Sequence, residues 1–115
     1  MDFRDSGSML NLEEALSRVG GDAGLLSEIA VLFLGDYPNQ LSSLRQAIEC
    51  QDAIEVEKSA HTLKGSVATF GAATAVQAAL ALERAGRVRD LSNASKMLVE
   101  LESLLARLNS ELQSL

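Results

Sequence analysis

Four runs of apolar residues recur at spacings of three and four along this 115-residue chain. That rhythm restricts it to amphipathic helices that bury one face against each other. The clearest run is the last: Ala94, Leu98, Leu101, Leu105, Leu108, Leu112 and Leu115. Ahead of it come Leu26, Ile29, Phe33, Tyr37, Leu41, Leu44 and Ile48, then Val56, Ala60, Leu63, Val67 and Phe70. The segment from Ala72 to Gly86 is alanine-rich, with Ala75, Ala79 and Leu82 on one side, small enough to let helices approach closely. A shorter stripe, Leu12, Leu16 and Val19, precedes them all. No stretch alternates with the two-residue period of a strand. The expected fold class is all-α: an up-down-up-down four-helix bundle with a short extra N-terminal helix as a lid.

The breaks between stripes carry helix punctuation. Asn11 and Glu14 have the spacing of a capping box, and Gly20-Gly21 ends the first helix. Asp22 is placed to cap the second. Pro38 falls inside that second stripe, where proline removes a donor and crowds the preceding turn. The apolar rhythm nevertheless crosses Pro38 without a phase slip, which predicts one long kinked helix rather than two. Gly71 closes the third helix, Gly86 to Leu91 reads as a polar turn, and Ser92 is expected to cap the last helix. Residues 1–10 read as a flexible lead-in or linker and residues 11–115 as one domain.

Charge and composition exclude several function classes. The formal net charge of -6 lacks the basic footprint of a nucleic-acid binder. No run approaches the roughly 18 apolar residues of a membrane span, and no secretory signal is visible at the N-terminus. A single cysteine, Cys50, cannot form an internal disulfide, which points to a reducing, cytoplasmic setting. If the four stripes bury one another, a monomer is expected.

Within this helical frame, His61 is the one histidine. Projecting the third helix at about 100° per residue from Val56 keeps the stripe within roughly 40° of zero. His61 then lands near 140°, with Lys64 near 80°, Gly65 near 180° and Ala68 near 120°, as estimates from that same geometry. His61 therefore points outward, with Lys64 three and Gly65 four residues on. Ile54, one heptad upstream, is on the same outer face.

Gly65 needs a reason, because an interior helical glycine costs about 1 kcal/mol relative to alanine. Beside an outward imidazole, the missing side chain leaves room for something bulky. Imidazole can act as a nucleophile near neutral pH, and a nearby lysine can hold an anion placed on it. Between residues 58 and 89, Lys58, Lys64, Arg84, Arg87 and Arg89 face a lone acid, Glu83. Such a basic island in an acidic chain suggests an anionic reaction partner. Other chemistries fit less well. Gly20-Gly21-Asp22-Ala23-Gly24 lacks the strand and lysine of a phosphate loop. Cys50 and His61 lie about three turns apart, too far for a nucleophilic dyad on one straight helix. One histidine and one cysteine fall short of a structural zinc set.

The run His61-Thr62-Leu63-Lys64-Gly65-Ser66, followed by Phe70-Gly71-Ala72, resembles the signature of histidine-containing phosphotransfer (HPt) domains of bacterial multistep phosphorelays. Further similarity lies in Phe33-Leu34-Gly35-Asp36-Tyr37-Pro38 with Leu41, in Leu82-Glu83 and in Gly86-Arg87. The likeness covers about residues 11 to 113. It implies a helical bundle whose histidine accepts a phosphoryl group from a receiver-domain aspartyl phosphate and passes it to another receiver. By that resemblance His61 is the phosphoacceptor through Nε2, Lys64 steadies the phosphoryl oxygens and Gly65 leaves space for them. Arg87 matches a position that can lie near the site, and Glu83 stands where some members carry glutamine. The implied partners are response-regulator receiver domains and a hybrid sensor histidine kinase. The domain needs no cofactor of its own, and any Mg²⁺ belongs to the receiver.

No acidic cluster is expected beside His61, and no neighbouring acid or base to activate water, so a phosphohistidine should persist. Ile54 and Ala68 are expected on the docking surface. Autonomous kinase or phosphatase activity is not expected. Two other classes remain open from the residues themselves: a dimeric histidine kinase core, which also presents an exposed histidine, and a non-catalytic helical adaptor.

Overall fold

The computed structural model describes residues 8–115. Among them are five helices and no strand: α1 (Leu12–Arg18), α2 (Ala23–Glu49), α3 (Ala53–Ala68), α4 (Ala73–Arg87) and α5 (Ala94–Leu112). Helices α2 to α5 pack in a ring, each against its neighbours in the chain, with α5 closing against α2. That ring is the predicted four-helix bundle, and α1 leans on α2 at one end.

Local chemistry sets most of the boundaries. The Asn11 side chain accepts from the Glu14 backbone N–H at 3.1 Å. The reciprocal half of the expected capping box does not form. The Asn11 N–H donates to the Phe70 carbonyl at 3.0 Å, and the Glu14 carboxylate turns to Arg18. Gly20 and Gly21 adopt left-handed φ values of 67° and 81°. Their N–H groups return to the carbonyls of Ser17 and Leu16, which is a Schellman stop. Asp22 and Asp52 cap α2 and α3 through the N–H groups of Leu25 and Glu55. Helix α2 runs unbroken through Pro38, which is exposed, although proline offers no N–H to the carbonyl four residues before it. Asn93 precedes α5 in place of the expected Ser92; the Ser92 N–H and hydroxyl are both bound to the Asp90 carboxylate.

The core is aliphatic. Val56, Ala60, Leu63, Val67 and Phe70 are all fully buried, as are Ala75, Ala79 and Leu82 of α4. Phe33 stacks on Tyr37 at 5.2 Å and meets Phe70 at 5.3 Å. Two stripe assignments shift. In α1 the buried residue is Ala15, while Leu12 is 46% exposed. Leu115 lies past the end of α5 and is exposed.

Gly86 belongs to helix α4, not to the turn that follows. A Cβ there would lie 2.6 Å from the Glu57 nitrogen and 2.7 Å from the Ala53 carbonyl oxygen. The backbones of α3 and α4 therefore touch at this point, and only glycine permits it. This contact brings the α4 face bearing Glu83 against the His61 face of α3.

Residues 1–7 of the expected lead-in lie outside the described residues. The rest of it is held in place. Met9 is buried, and the N–H groups of Met9 and Leu10 donate to the Glu111 carboxylate at 2.8–3.0 Å. No helix among the described residues is long and apolar enough to cross a membrane.

Candidate functional site

His61 stands on α3 with its side chain 67% exposed, facing outward as the projection required. Its Nδ1 lies 2.9 Å from Oε2 of Glu83 on α4. Glu83 is the buried charged residue of the described chain, its side chain only 4% exposed. Three groups converge on that one carboxylate. Lys64 Nζ is 2.6 Å from Oε1, and Arg87 Nη2 is 2.9 Å from Oε2, beside the His61 ring. The Arg87 Nε reaches in the other direction, to Glu57 Oε2 at 3.0 Å. Glu57, one turn before His61, thereby joins α3 to α4 a second time.

A carboxylate can be buried only if its charge is compensated. Lys64 holds the Glu83 carboxyl below its ordinary value; burial pushes the other way, and the His61 contact adds to the lowering. Glu83 is therefore ionised at neutral pH. Hydrogen bonding to Glu57, with Glu83 behind it, holds the Arg87 guanidinium above its ordinary value.

An ionised carboxylate only accepts hydrogen bonds, so Nδ1, the ring nitrogen that faces it, is the donor. The Nε2 lone pair is then left on the far, exposed side of the ring. Gly65, one turn on, has nothing within 4 Å of where a Cβ would stand. Approach to the imidazole is open from that side.

The structure thus brings His61, Lys64 and Arg87 together, with Gly65 as the clearing beside them. It corrects the expectation that no acid neighbours His61. Glu83 touches the ring, and the reason lies in the α4 register. Ala75, Ala79, Leu82, Glu83 and Gly86 all occupy the core-facing side, so Glu83 is carried inward with them. That spacing was visible in the sequence, as was the status of Glu83 as the lone acid in a basic stretch. Glu57 carried no comparable signal, because a glutamate in an exposed helix position is ordinary. Ile54 is exposed as expected, and Ala68 is partly buried. Cys50 is exposed, at the far end of α2.

Comparison with known proteins bears on the whole of this arrangement. The sequence model of the Hpt domain family matches residues 28–111. Among solved structures, the chain is similar to histidine-containing phosphotransfer protein B (HptB) from Pseudomonas aeruginosa PAO1. That match has a TM-score of 0.85 and 22% identity, and covers 92% of each chain. It is also similar to the HPT domain of the Hpt sensor hybrid histidine kinase from Shewanella, with a TM-score of 0.80, 19% identity and 92% of each chain covered. At such identities these likenesses speak for the fold. No curated protein sequence matches the chain. The family match takes in α3, α4, most of α2 and nearly all of α5, His61 included, and on that ground the chain belongs to the Hpt domain family, the phosphotransfer proteins of two-component relays.

Proposed function

We propose that this domain is a phosphorelay intermediate: His61 accepts a phosphoryl group from the aspartyl phosphate of one receiver domain and passes it to the aspartate of another. The observation that carries the reading is the 2.9 Å contact between His61 Nδ1 and Glu83 on an otherwise exposed ring. The Nε2 lone pair attacks phosphorus in line, and the bond from phosphorus to the aspartyl oxygen breaks. The aspartate leaves with the electron pair as a carboxylate. Nδ1 keeps its hydrogen, so the ring becomes a cation bearing the phosphoryl group on Nε2. Glu83 stabilises that cation, as an orienting carboxylate does for an imidazolium elsewhere. Return to a second aspartate reverses each change.

In the resting protein Lys64 and Arg87 hold Glu83 ionised and in place. Gly65 leaves the approach clear for a partner as large as a receiver domain. The metal that assists transfer belongs to the receiver, and this chain adds no cofactor. Because Glu83 sits at the Nδ1 edge with both oxygens engaged, it is poorly placed to activate water at Nε2, and the phosphohistidine persists between transfers. The domain acts as a cytoplasmic monomer between a hybrid sensor kinase and response regulators, without kinase or phosphatase activity of its own.

Incubation with a phosphorylated receiver should place acid-labile, base-stable label on the native protein and none on His61→Gln. Label on the His61→Gln protein would show that another residue is the acceptor. No label on the native protein from any receiver tried would favour a binding-only adaptor.

A further inference from the structure

Both cations expected to serve the phosphoryl group are already engaged. Lys64 lies 2.6 Å from a carboxylate that is 4% exposed, and moving it away would strip a buried charge of its nearest partner. Arg87 is shared between Glu83 and Glu57. Lys58 differs. It stands one turn before His61 on α3, is exposed, and forms no ion pair among the described residues.

The faces of α3 sort these residues. Glu57 and Lys64 reach toward α4, where their partners Arg87 and Glu83 lie. Lys58 and Thr62 line a cleft of 210 Å³ against Gln40 and Ser43 of α2. Glu55 lines the same cleft, but its carboxylate accepts from the Ser59 hydroxyl at 3.1 Å and does not pair with Lys58. His61 stands on the crest between the two faces and turns Nδ1 toward α4. The exit vectors of the two ring nitrogens diverge, so Nε2 leaves on the side away from α4. Helical side chains also lean back over the preceding turn, which here is the turn that carries Lys58.

We propose that Lys58 is the cation that receives the phosphoryl group on His61 Nε2, and that Lys64 acts on the ring through Glu83. Lys58 is then a positioning charge for the transferred group, with the ammonium meeting the phosphoryl oxygens as the N–P bond forms and the aspartyl P–O bond breaks. The inference rests on the assignment of His61 as acceptor.

The test uses the full chain, a phosphorylated receiver and the variants Lys58→Gln, Lys58→Arg and Lys64→Gln, with ¹⁵N spectra of the His61 ring beside the transfer rates. Lys58→Gln should slow the maximal transfer rate about fivefold, the reach of one exposed charge contact, with the Nδ1–H ring signals unchanged. Lys58→Arg should restore the rate, and Lys64→Gln should move the ring signals. A Lys58→Gln protein that transfers like the native one overturns the proposal. So does a change confined to the half-saturating receiver concentration, which would make Lys58 a docking contact. A native protein that takes up no label defeats the acceptor assignment itself and is read separately from either result.

Discussion

Glu83 and Glu111 are two acids that this fold draws in from water, and they are held in opposite ways. The carboxylate of Glu83 is gripped by side chains, those of Lys64, Arg87 and His61, each on its own rotatable stem. Glu111 is gripped by backbone, accepting from the N–H groups of Met9 and Leu10, with the Ser8 hydroxyl added at 3.1 Å. Burial pushes the Glu111 carboxyl up, but the Leu10 and Met9 donors, Ser8 and the Arg107 charge outweigh it and leave it lowered. Backbone donors cannot leave without unfolding the segment, so Glu111 is an anchor for the N-terminal strand of chain. Side-chain donors can rearrange as charge appears on a neighbouring ring. The same residue type, lowered in pKa at both places, serves structure at one and chemistry at the other.

The largest effect expected from breaking this contrast is on transfer. Glu83→Ala frees the His61 ring to adopt either tautomer and removes the charge that offsets the phosphorylated ring. Orienting partners are worth roughly 10–100-fold where they have been removed from metal-bound histidines, and a similar loss of phosphotransfer rate is expected. Stability should change far less, because Arg87 keeps Glu57 and Lys64 can reach water. Glu83→Gln, which still accepts from Nδ1 but carries no charge, should fall between the two. Rates for the alanine variant that match the native protein would remove Glu83 from the mechanism.

Glu111→Ala should do the reverse: a loss of about 1–3 kcal/mol for donors left without an acceptor, with transfer unaltered. For a domain of this size each kcal/mol is about 4 °C in Tm. The pH dependence follows from the direction of both shifts. A carboxyl lowered in the folded state contributes stability that is fully present above the ordinary carboxylate value of about pH 4, and that contribution disappears as pH falls through the lowered folded value. Acid unfolding of the native protein should therefore steepen below about pH 4, and Glu111→Ala should flatten it. Acid profiles of the two proteins that superimpose would show that the anchor contributes nothing to folding.

The legible part of this molecule was the part governed by period. Val56, Ala60, Leu63, Val67 and Phe70 were assigned to the core from spacing alone, and the outward placement of His61 followed by subtraction. The all-α bundle required only that each stripe find another. What escaped was pairwise. A stripe says which face is buried but not which two faces meet, so the touch of Gly86 on the α3 backbone is invisible in it, and the sequence alone places Gly86 in a turn. The role of Glu83 is hidden for the same reason. Its core-facing register can be counted from Ala75, Ala79 and Leu82, yet two of its three partners, His61 and Lys64, belong to a different helix. The capping box failed on a tertiary competitor, since the Phe70 carbonyl takes the Asn11 N–H that Glu14 was expected to hold.

The smallest effect lies on the open side of the same site, at Gly65. Nothing among the described residues needs that glycine, because a Cβ there meets no atom within 4 Å and φ lies outside the left-handed region. Gly65→Ala should therefore raise stability, by about 0.5–1 kcal/mol from helix propensity alone, visible as a small rise in Tm. A glycine retained against its own helix implies a load from outside, and the object that needs the clearance is the receiver approaching Nε2. Transfer should accordingly slow while the isolated protein grows more stable, and a larger residue at the same position should deepen the loss of transfer without reversing the gain. That opposition separates Gly65 from Glu111, where stability falls and transfer stays. If Gly65→Ala is more stable and transfers at the native rate, and a larger residue there does the same, the clearance has no bearing on docking.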